Sequence, residues 1–137
     1  MIIDNIVFVH IPKCGGTSIE KYFSLRAKKP LDFDNLYFSY YENTIQLIPN
    51  HTETHYRLGI TLNKTDRYDD AIERFNAAIK IKPNYPEAFN GLGISHYQKG
   101  NYEEAIINYN QAIKLKPDYA GAFINLANVY SAVGETK

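Results

Sequence analysis

The chain lacks several features that mark particular classes of protein. Its 137 residues include one cysteine, Cys14, so an intramolecular disulfide cannot form and a disulfide scaffold is excluded. Fifteen acidic residues balance fifteen basic ones, and this neutrality predicts neither nucleic acid nor an anionic membrane as a partner. The apolar run Ile6–Ile11 is far shorter than the roughly 18 residues that span a bilayer, and it lacks the basic flank of a secretory signal. A cytoplasmic location is therefore predicted.

The composition is that of a folded chain about one domain in length. Hydrophobic residues make up 45% and charged residues 22%, which is typical of a protein that buries a core. Tryptophan is absent, but there are twelve tyrosines, which suit half-buried positions where the ring packs and the hydroxyl stays wet.

A repeat of 34 residues organises the second half of the chain. Pro49, Pro83 and Pro117 are spaced by this interval. Between them, pairs of residues match at the same interval: Leu58 and Leu92, Gly59 and Gly93, Tyr68 and Tyr102, Ala71 and Ala105, Ala78 and Ala112, Ile79 and Ile113. Similarity at a fixed period predicts a stack of identical structural units.

Each repeat contains two helical patterns. Apolar and small residues recur at i, i+3, i+4 and i+7 in both Pro86–Lys99 and Tyr102–Lys116, which predicts two amphipathic helices. Gly100 separates them, and Asn101 with Glu104 has the spacing of a capping box for the second helix. The predicted unit is a helical hairpin.

These residues resemble the tetratricopeptide repeat. The order Phe89, Leu92, Gly93, Gly100, Tyr102, Ala105, Tyr109, Ala112, Pro117 follows the signature of that family. The resemblance implies an all-α, right-handed array of about two and a half hairpins: 50–83, 84–117 and a partial unit 118–137. Residues 33–49 resemble a degenerate second helix. In the unit 50–83, Asp66 replaces the turn glycine, and aspartate tolerates a left-handed backbone better than most residues.

The resemblance implies a groove that binds a protein or peptide. First-helix residues that point away from the second helix would line it: Tyr56, Arg57, Ile60, Asn63, Asn90, Ile94, Tyr97, Ile124, Asn125 and Asn128. Amide and aromatic side chains suit a peptide backbone and its smaller side chains, although a polar solvated face would have the same pattern. A non-catalytic protein-interaction module is the predicted function.

The grooves of this family that clamp acidic C-terminal tails rely on Lys, Asn and Arg at such positions. Tyr56, Ile60, Gly91 and Gly121 stand there in this chain, so binding of chaperone C-termini is not expected. Asn125 matches the asparagine ladder of longer arrays.

A second motif lies in residues 1–32, where the pattern predicts a strand, a loop and the start of a helix. The strand Ile6–Ile11 is followed by a glycine-rich loop, Pro12–Ser18, and by an apolar stretch from Ile19. This layout directs backbone N–H groups and a helix N-terminus at an anion such as phosphate.

The loop resembles the 5′-phosphosulfate loop of sulfotransferases that use 3′-phosphoadenosine 5′-phosphosulfate. The resemblance implies that Lys13 stabilises the leaving phosphate, that Gly15 and Gly16 admit the backbone, and that Thr17 and Ser18 bind phosphate oxygens. Further strands, a 3′-phosphate site and a general base do not follow in the sequence. A sulfotransferase fragment is thus the alternative function, beside plain anion binding or a loop that only caps the array.

Metal binding and self-association can also be judged from the sequence. His51 and His55 lie one helical turn apart, but two ligands without a third make a weak site, and no metal is expected. His55 stands in the column of Phe89 and is expected to be packed. The closing helix, predicted over Ala120–Val133, is apolar on both sides, and the strand Ile6–Ile11 has no partner, so a homodimer is predicted.

The sulfotransferase alternative makes a specific prediction about Lys13. If the loop is functional, calorimetry should detect micromolar binding of adenosine 3′,5′-bisphosphate that Lys13→Ala abolishes, because the ammonium would no longer face the phosphate. The interaction-module hypothesis predicts no such Lys13-dependent heat. Lys28→Ala, a second lysine in the same segment, controls for loss of charge alone.

Overall fold

The computed structural model describes residues 32–135, which form six α-helices and, within that range, no β-strand. The helices are α1 (Phe33–Leu47), α2 (Thr52–Lys64), α3 (Tyr68–Ile81), α4 (Pro86–Gln98), α5 (Tyr102–Leu115) and α6 (Ala120–Glu135). The predicted all-α array of hairpins is confirmed for these residues. The predicted strand, loop and helix start over 1–31 lie outside the described part of the chain. A search of the described helices for one long and apolar enough to cross a membrane finds none.

Each helix packs against the next one along the chain, and α2, α4 and α6 also contact each other in succession. These three first helices therefore lie side by side on one face of the array. Helix α1 takes the place of a second helix before them, because its Tyr41 is buried in the same cluster as Leu58 and Leu62 of α2.

The turns inside the two hairpins have the same left-handed backbone. Gly100 has φ 81°, and Asp66, its counterpart one repeat earlier, has φ 60°. A short polar side chain can hold this conformation at modest cost, so the expectation for Asp66 is confirmed. The predicted capping box at Asn101 is wrong: its side chain makes no cap hydrogen bond. The Asn101 N–H already donates to the carbonyl of His96 at 2.9 Å, so Glu104 has no free donor to reach.

The two helices of each hairpin cross where a glycine meets an aromatic ring. A Cβ built on Gly59 would lie 2.7 Å from the ring of Phe75, and one built on Gly93 would be closer still to the ring of Tyr109. Both rings are fully buried, with fully buried alanines beside them. Because interiors are close-packed, these crossings leave no room for a methyl group.

His55 is buried as a packing residue. Its Nε2 donates to the carbonyl of Pro49 at 2.7 Å, which leaves Nδ1 to face the guanidinium of Arg74 at 3.5 Å. The neighbouring His51 places its Nδ1 2.6 Å from the hydroxyl of Thr54. Among residues 32–135 these and the other candidate ligands form no group of three that could hold a metal ion.

A charge placed at a hairpin crossing should unfold the array. Ala105 is fully buried against Tyr109, so Ala105→Asp would bury an unpaired carboxylate and should lower the free energy of unfolding by about 3 kcal/mol or more. Urea denaturation followed by circular dichroism measures this change. Ile107→Asp, on the same helix and 60% exposed, is the matched control and should cost far less. Equal midpoints for the two variants would show that α5 does not pack as described.

Candidate functional site

The face formed by α2, α4 and α6, which we call the groove, contains an open cavity between α2 and α4. Its volume is about 310 Å³. The cavity is lined by Tyr56, Ile60, Asn63, Lys64, Phe75, Glu87, Asn90, Gly91 and Ile94. Five of the ten groove residues predicted from the sequence are among them: Tyr56, Ile60, Asn63, Asn90 and Ile94. The structure thus brings half of the predicted set together at one place.

The floor of the cavity is aromatic. The buried ring of Phe75 lies beneath Gly91, where an added Cβ would collide with it. Tyr56 forms a wall, with its ring centroid 6.0 Å from that of Phe75 and 5.2 Å from that of Tyr85. Phe75 has no exposed surface, so its ring supports the cavity from beneath, and Tyr56 is the aromatic side chain that a ligand in the cavity can contact.

Burial raises the pKa of the Tyr56 phenol to about 12, with smaller contributions from Tyr119 and from the carboxylates of Glu87 and Glu53. The phenol is therefore neutral at any physiological pH and keeps its hydrogen as a donor.

One polar side of the cavity is fixed by hydrogen bonds within the protein. Asn63 donates from Nδ2 to the carbonyl of Gly91 at 3.4 Å and accepts from the hydroxyl of Ser95 at 2.8 Å. Asn63 thus joins α2 to α4. Its amide is largely occupied and serves to hold the cavity's shape.

The other polar side keeps groups that a ligand can use. Asn125 of α6 donates from Nδ2 to Oδ1 of Asn90 at 3.0 Å. Asn90 is also within hydrogen-bond reach of Tyr119, and its amide nitrogen carries two hydrogens. One N–H of Asn90 and the Oδ1 of Asn125 remain without a hydrogen-bond partner among the described residues. They can bind the C=O and the N–H of a peptide group.

The two charged residues of the cavity have opposite signs and stand at opposite ends. Within residues 32–135, neither Glu87 nor Lys64 takes part in an ion pair, unlike Glu53, which occupies the column of Glu87 one repeat earlier. Lys64 lies eleven residues after Glu53 on α2, which corresponds to roughly 16 Å along the helix axis. The cavity therefore has a carboxylate at one end and an ammonium at the other.

Arg57, predicted to line the groove, lies outside the cavity. Its Nε is 2.7 Å from Oε1 of Glu53, and the other carboxylate oxygen of Glu53 accepts a hydrogen bond from Tyr85 at 2.8 Å. Arg57 also reaches the hydroxyl of Tyr41. The Arg57 guanidinium therefore links α1, α2 and the start of α4.

The remaining predicted groove residues lie towards α6. Tyr97 packs with the ring of Tyr102, with centroids 5.6 Å apart, in the cluster beneath Val129. Ile124 and Asn128 are exposed on α6 and do not line the cavity. They extend the groove face beyond it.

The groove residues predicted from the sequence omitted three residues that line the cavity, namely Lys64, Phe75 and Glu87, whereas Gly91 had already been placed at a groove position. Helical spacing could have found two of them, because Lys64 follows Ile60 by four residues and Glu87 precedes Asn90 by three. Phe75 reaches the cavity only because Gly91 has no side chain, and this contact has no signal in the spacing. The predicted anion-binding residues Lys13, Gly15, Gly16, Thr17 and Ser18 lie outside the described residues.

Comparisons with solved structures find the same architecture. MamA is 30% identical over 72% of this chain, with a TM-score of 0.66, and YrrB, "a TPR protein with an unusual peptide-binding site", is 28% identical over 66%, with a TM-score of 0.64. The chain covers 57% of the MamA chain and 46% of the YrrB chain.

A third structure supports the fold alone. The first TPR of Spaghetti (RPAP3), bound to the HSP90 peptide SRMEEVD, is 18% identical over 71% of this chain and 77% of its own, with a TM-score of 0.68. No curated protein matched the chain by sequence.

The family model described as "TPR repeat" matches residues 62–100 and 95–134, which together make up more than half of the chain. With the helical hairpins, their glycine–aromatic crossings and the structural neighbours, this match leads to one conclusion. The chain belongs to the tetratricopeptide repeat family.

Proposed function

We propose that the groove binds an extended peptide segment of a partner protein, with one apolar side chain of that segment in the cavity between α2 and α4. The chain is a protein-interaction module. The observation that carries the proposal is the combination of an apolar cavity, which has the half-buried ring of Tyr56 in its wall, with a free amide donor and acceptor at its edge.

The apolar contact comes from Tyr56, Ile60 and Ile94, which line the cavity above the fully buried ring of Phe75. An aliphatic or aromatic side chain placed there would lose its contact with water against surfaces that are already ordered. Each square ångström of apolar surface so buried contributes about 25 cal/mol. Since the cavity is open at the groove, it suits a side chain that arrives on a peptide.

The backbone of the ligand would bind the amides. The remaining N–H of Asn90 can donate to a peptide carbonyl while the Oδ1 of Asn125 accepts from a peptide N–H. These hydrogen bonds recognise the peptide backbone whatever its side chains are, so the cavity and its charged residues determine which peptide binds.

The charges disfavour an acidic C-terminal tail. Glu87 brings a carboxylate into the cavity, and the guanidinium of Arg57 is already paired with Glu53. Among the residues that line the cavity, Lys64 is the only cation. We therefore propose an internal segment with mixed charge as the ligand, in contrast to the HSP90 peptide SRMEEVD bound by the RPAP3 domain.

Selection from a random library tests this proposal. A phage library of random internal peptides is panned on the chain, and the enriched peptides are synthesised with blocked ends and titrated by calorimetry. We expect micromolar binders that share one large apolar residue. Ile94→Arg should weaken them at least about tenfold, because it puts a charge against the aromatic floor. The peptide SRMEEVD should bind much more weakly.

Ile107→Arg is the matched control, since Ile107 is an exposed isoleucine on α5, away from the groove. It should leave the affinity within about twofold of the parent. Failure to enrich any peptide, or binders that Ile94→Arg and Asn90→Ala leave unchanged, would refute the proposal.

Two further expectations from the sequence stay as proposals of their own. A cytoplasmic location is supported by the single cysteine and by the apolar run Ile6–Ile11, which is short and has no basic flank. Binding of 3′-phosphoadenosine 5′-phosphosulfate by Lys13 and its neighbours is supported by the loop sequence.

A further inference from the structure

Helix α6 has an exposed stripe of residues with heptad spacing, which we call the α6 seam. It consists of Ala120, Phe123, Ala127, Tyr130 and Gly134, and all five are exposed. Phe123 and Tyr130 keep 48% and 54% of their surface in contact with solvent. Intervals of three and four residues that alternate along a helix are the spacing of a helix-pairing surface.

The seam is separate from the face by which α6 joins the array. Ala122 and Val129 are fully buried, and Val129 packs with Ala105 and Tyr109 of α5. Within residues 32–135, docking onto α5 therefore leaves the seam uncovered. The groove residue Asn125 also lies off the seam, so the seam can be occupied independently of the proposed function.

The two earlier hairpins show how the equivalent surface is covered. Gly59 and Gly93, the counterparts of Ala127, receive the rings of Phe75 and Tyr109 from the following helix. A Cβ at either glycine would come closer than 3.0 Å to the ring. Ala127 carries such a Cβ, so a helix packed like α3 or α5 does not fit on the seam with an aromatic residue at that point.

We propose that the α6 seam pairs with the α6 seam of a second copy of the chain, with the two helices antiparallel. In an antiparallel heptad pair each small position of one helix faces a large position of the other. Phe123 and Tyr130 would thus pack over Ala127 and over Gly134 or Ala120 of the second copy. The alternation of small and aromatic residues makes the stripe complementary to itself.

The charge of α6 allows this pairing. Residues 120–134 contain no Asp, Glu, Lys or Arg, whereas each of the other five helices carries charged residues. Two copies can approach without like-charge repulsion and without burying an ion. Because both copies would use the same surface, the pair would be a closed dimer with two-fold symmetry.

The size of the seam sets the expected strength. A helix of 16 residues is about 24 Å long, and two half-exposed aromatic rings contribute about 200 Å² of each chain. With the small residues between them the interface is below the roughly 800 Å² per partner of stable complexes. A dimer with a dissociation constant of micromolar order or weaker is expected.

Sedimentation equilibrium of the full chain tests the pairing. From about 5 to 500 µM the mean mass should rise from 15.7 kDa towards twice that value. Ala127→Glu should shift the dissociation constant at least about tenfold, because two carboxylates would face an apolar partner. The variant is expected to fold, since position 127 is exposed, and its melting curve checks this.

Ile124→Ser is the matched control: Ile124 is 62% exposed on the same helix but off the seam. Its dissociation constant should stay within about twofold of the parent. A monomer throughout the concentration range overturns the proposal, as does a dimer that Ile124→Ser disrupts and Ala127→Glu does not.

Discussion

The close contact between a glycine and an aromatic ring determines the rest of this structure. Gly59 beneath Phe75 and Gly93 beneath Tyr109 bring two helix backbones together at the same point of each hairpin. Dispersion and apolar burial are greatest where atoms touch without gaps. The fully buried alanines on both sides follow from this contact, because a larger residue would hold the helices apart.

The groove is a consequence of the same packing. Phe75 is a fully buried core residue of its own hairpin, and its ring also supports the floor of the cavity from beneath, because Gly91 of the next hairpin packs directly on it. One ring therefore connects stability to binding. A change at Phe75 would alter the hairpin and the cavity together, and Ile94, which packs against the cluster of Ala105, Tyr109 and Val129, links the next hairpin to the cavity in the same way.

Much of the fold could be predicted from the sequence, because a 34-residue period and helical spacing both depend on local pattern. The left-handed turn at Asp66 could be predicted for the same reason, since its counterpart is Gly100. The arrangement of the site was harder to predict from the sequence. Arg57 is held away from the cavity by Glu53, to which Tyr85 also donates, and by Tyr41 of α1, so this arrangement requires α1, α2 and the start of α4 to meet. The hydrogen bond between Asn90 and Asn125 joins residues 35 positions apart, one more than the repeat period. A comparison of equivalent positions in the repeats therefore cannot reveal it.

The methyl group of Ala127 bears on how arrays of this kind grow. Tandem duplication of a hairpin places the same crossing at every junction, and in this chain a copy of α5 set down after α6 would drive its aromatic ring into that methyl group. Lengthening by duplication would then need the ring to shift, or glycine at 127, or a smaller residue in place of the ring. A single carbon atom thus separates a surface suited to a further repeat from one suited to something else.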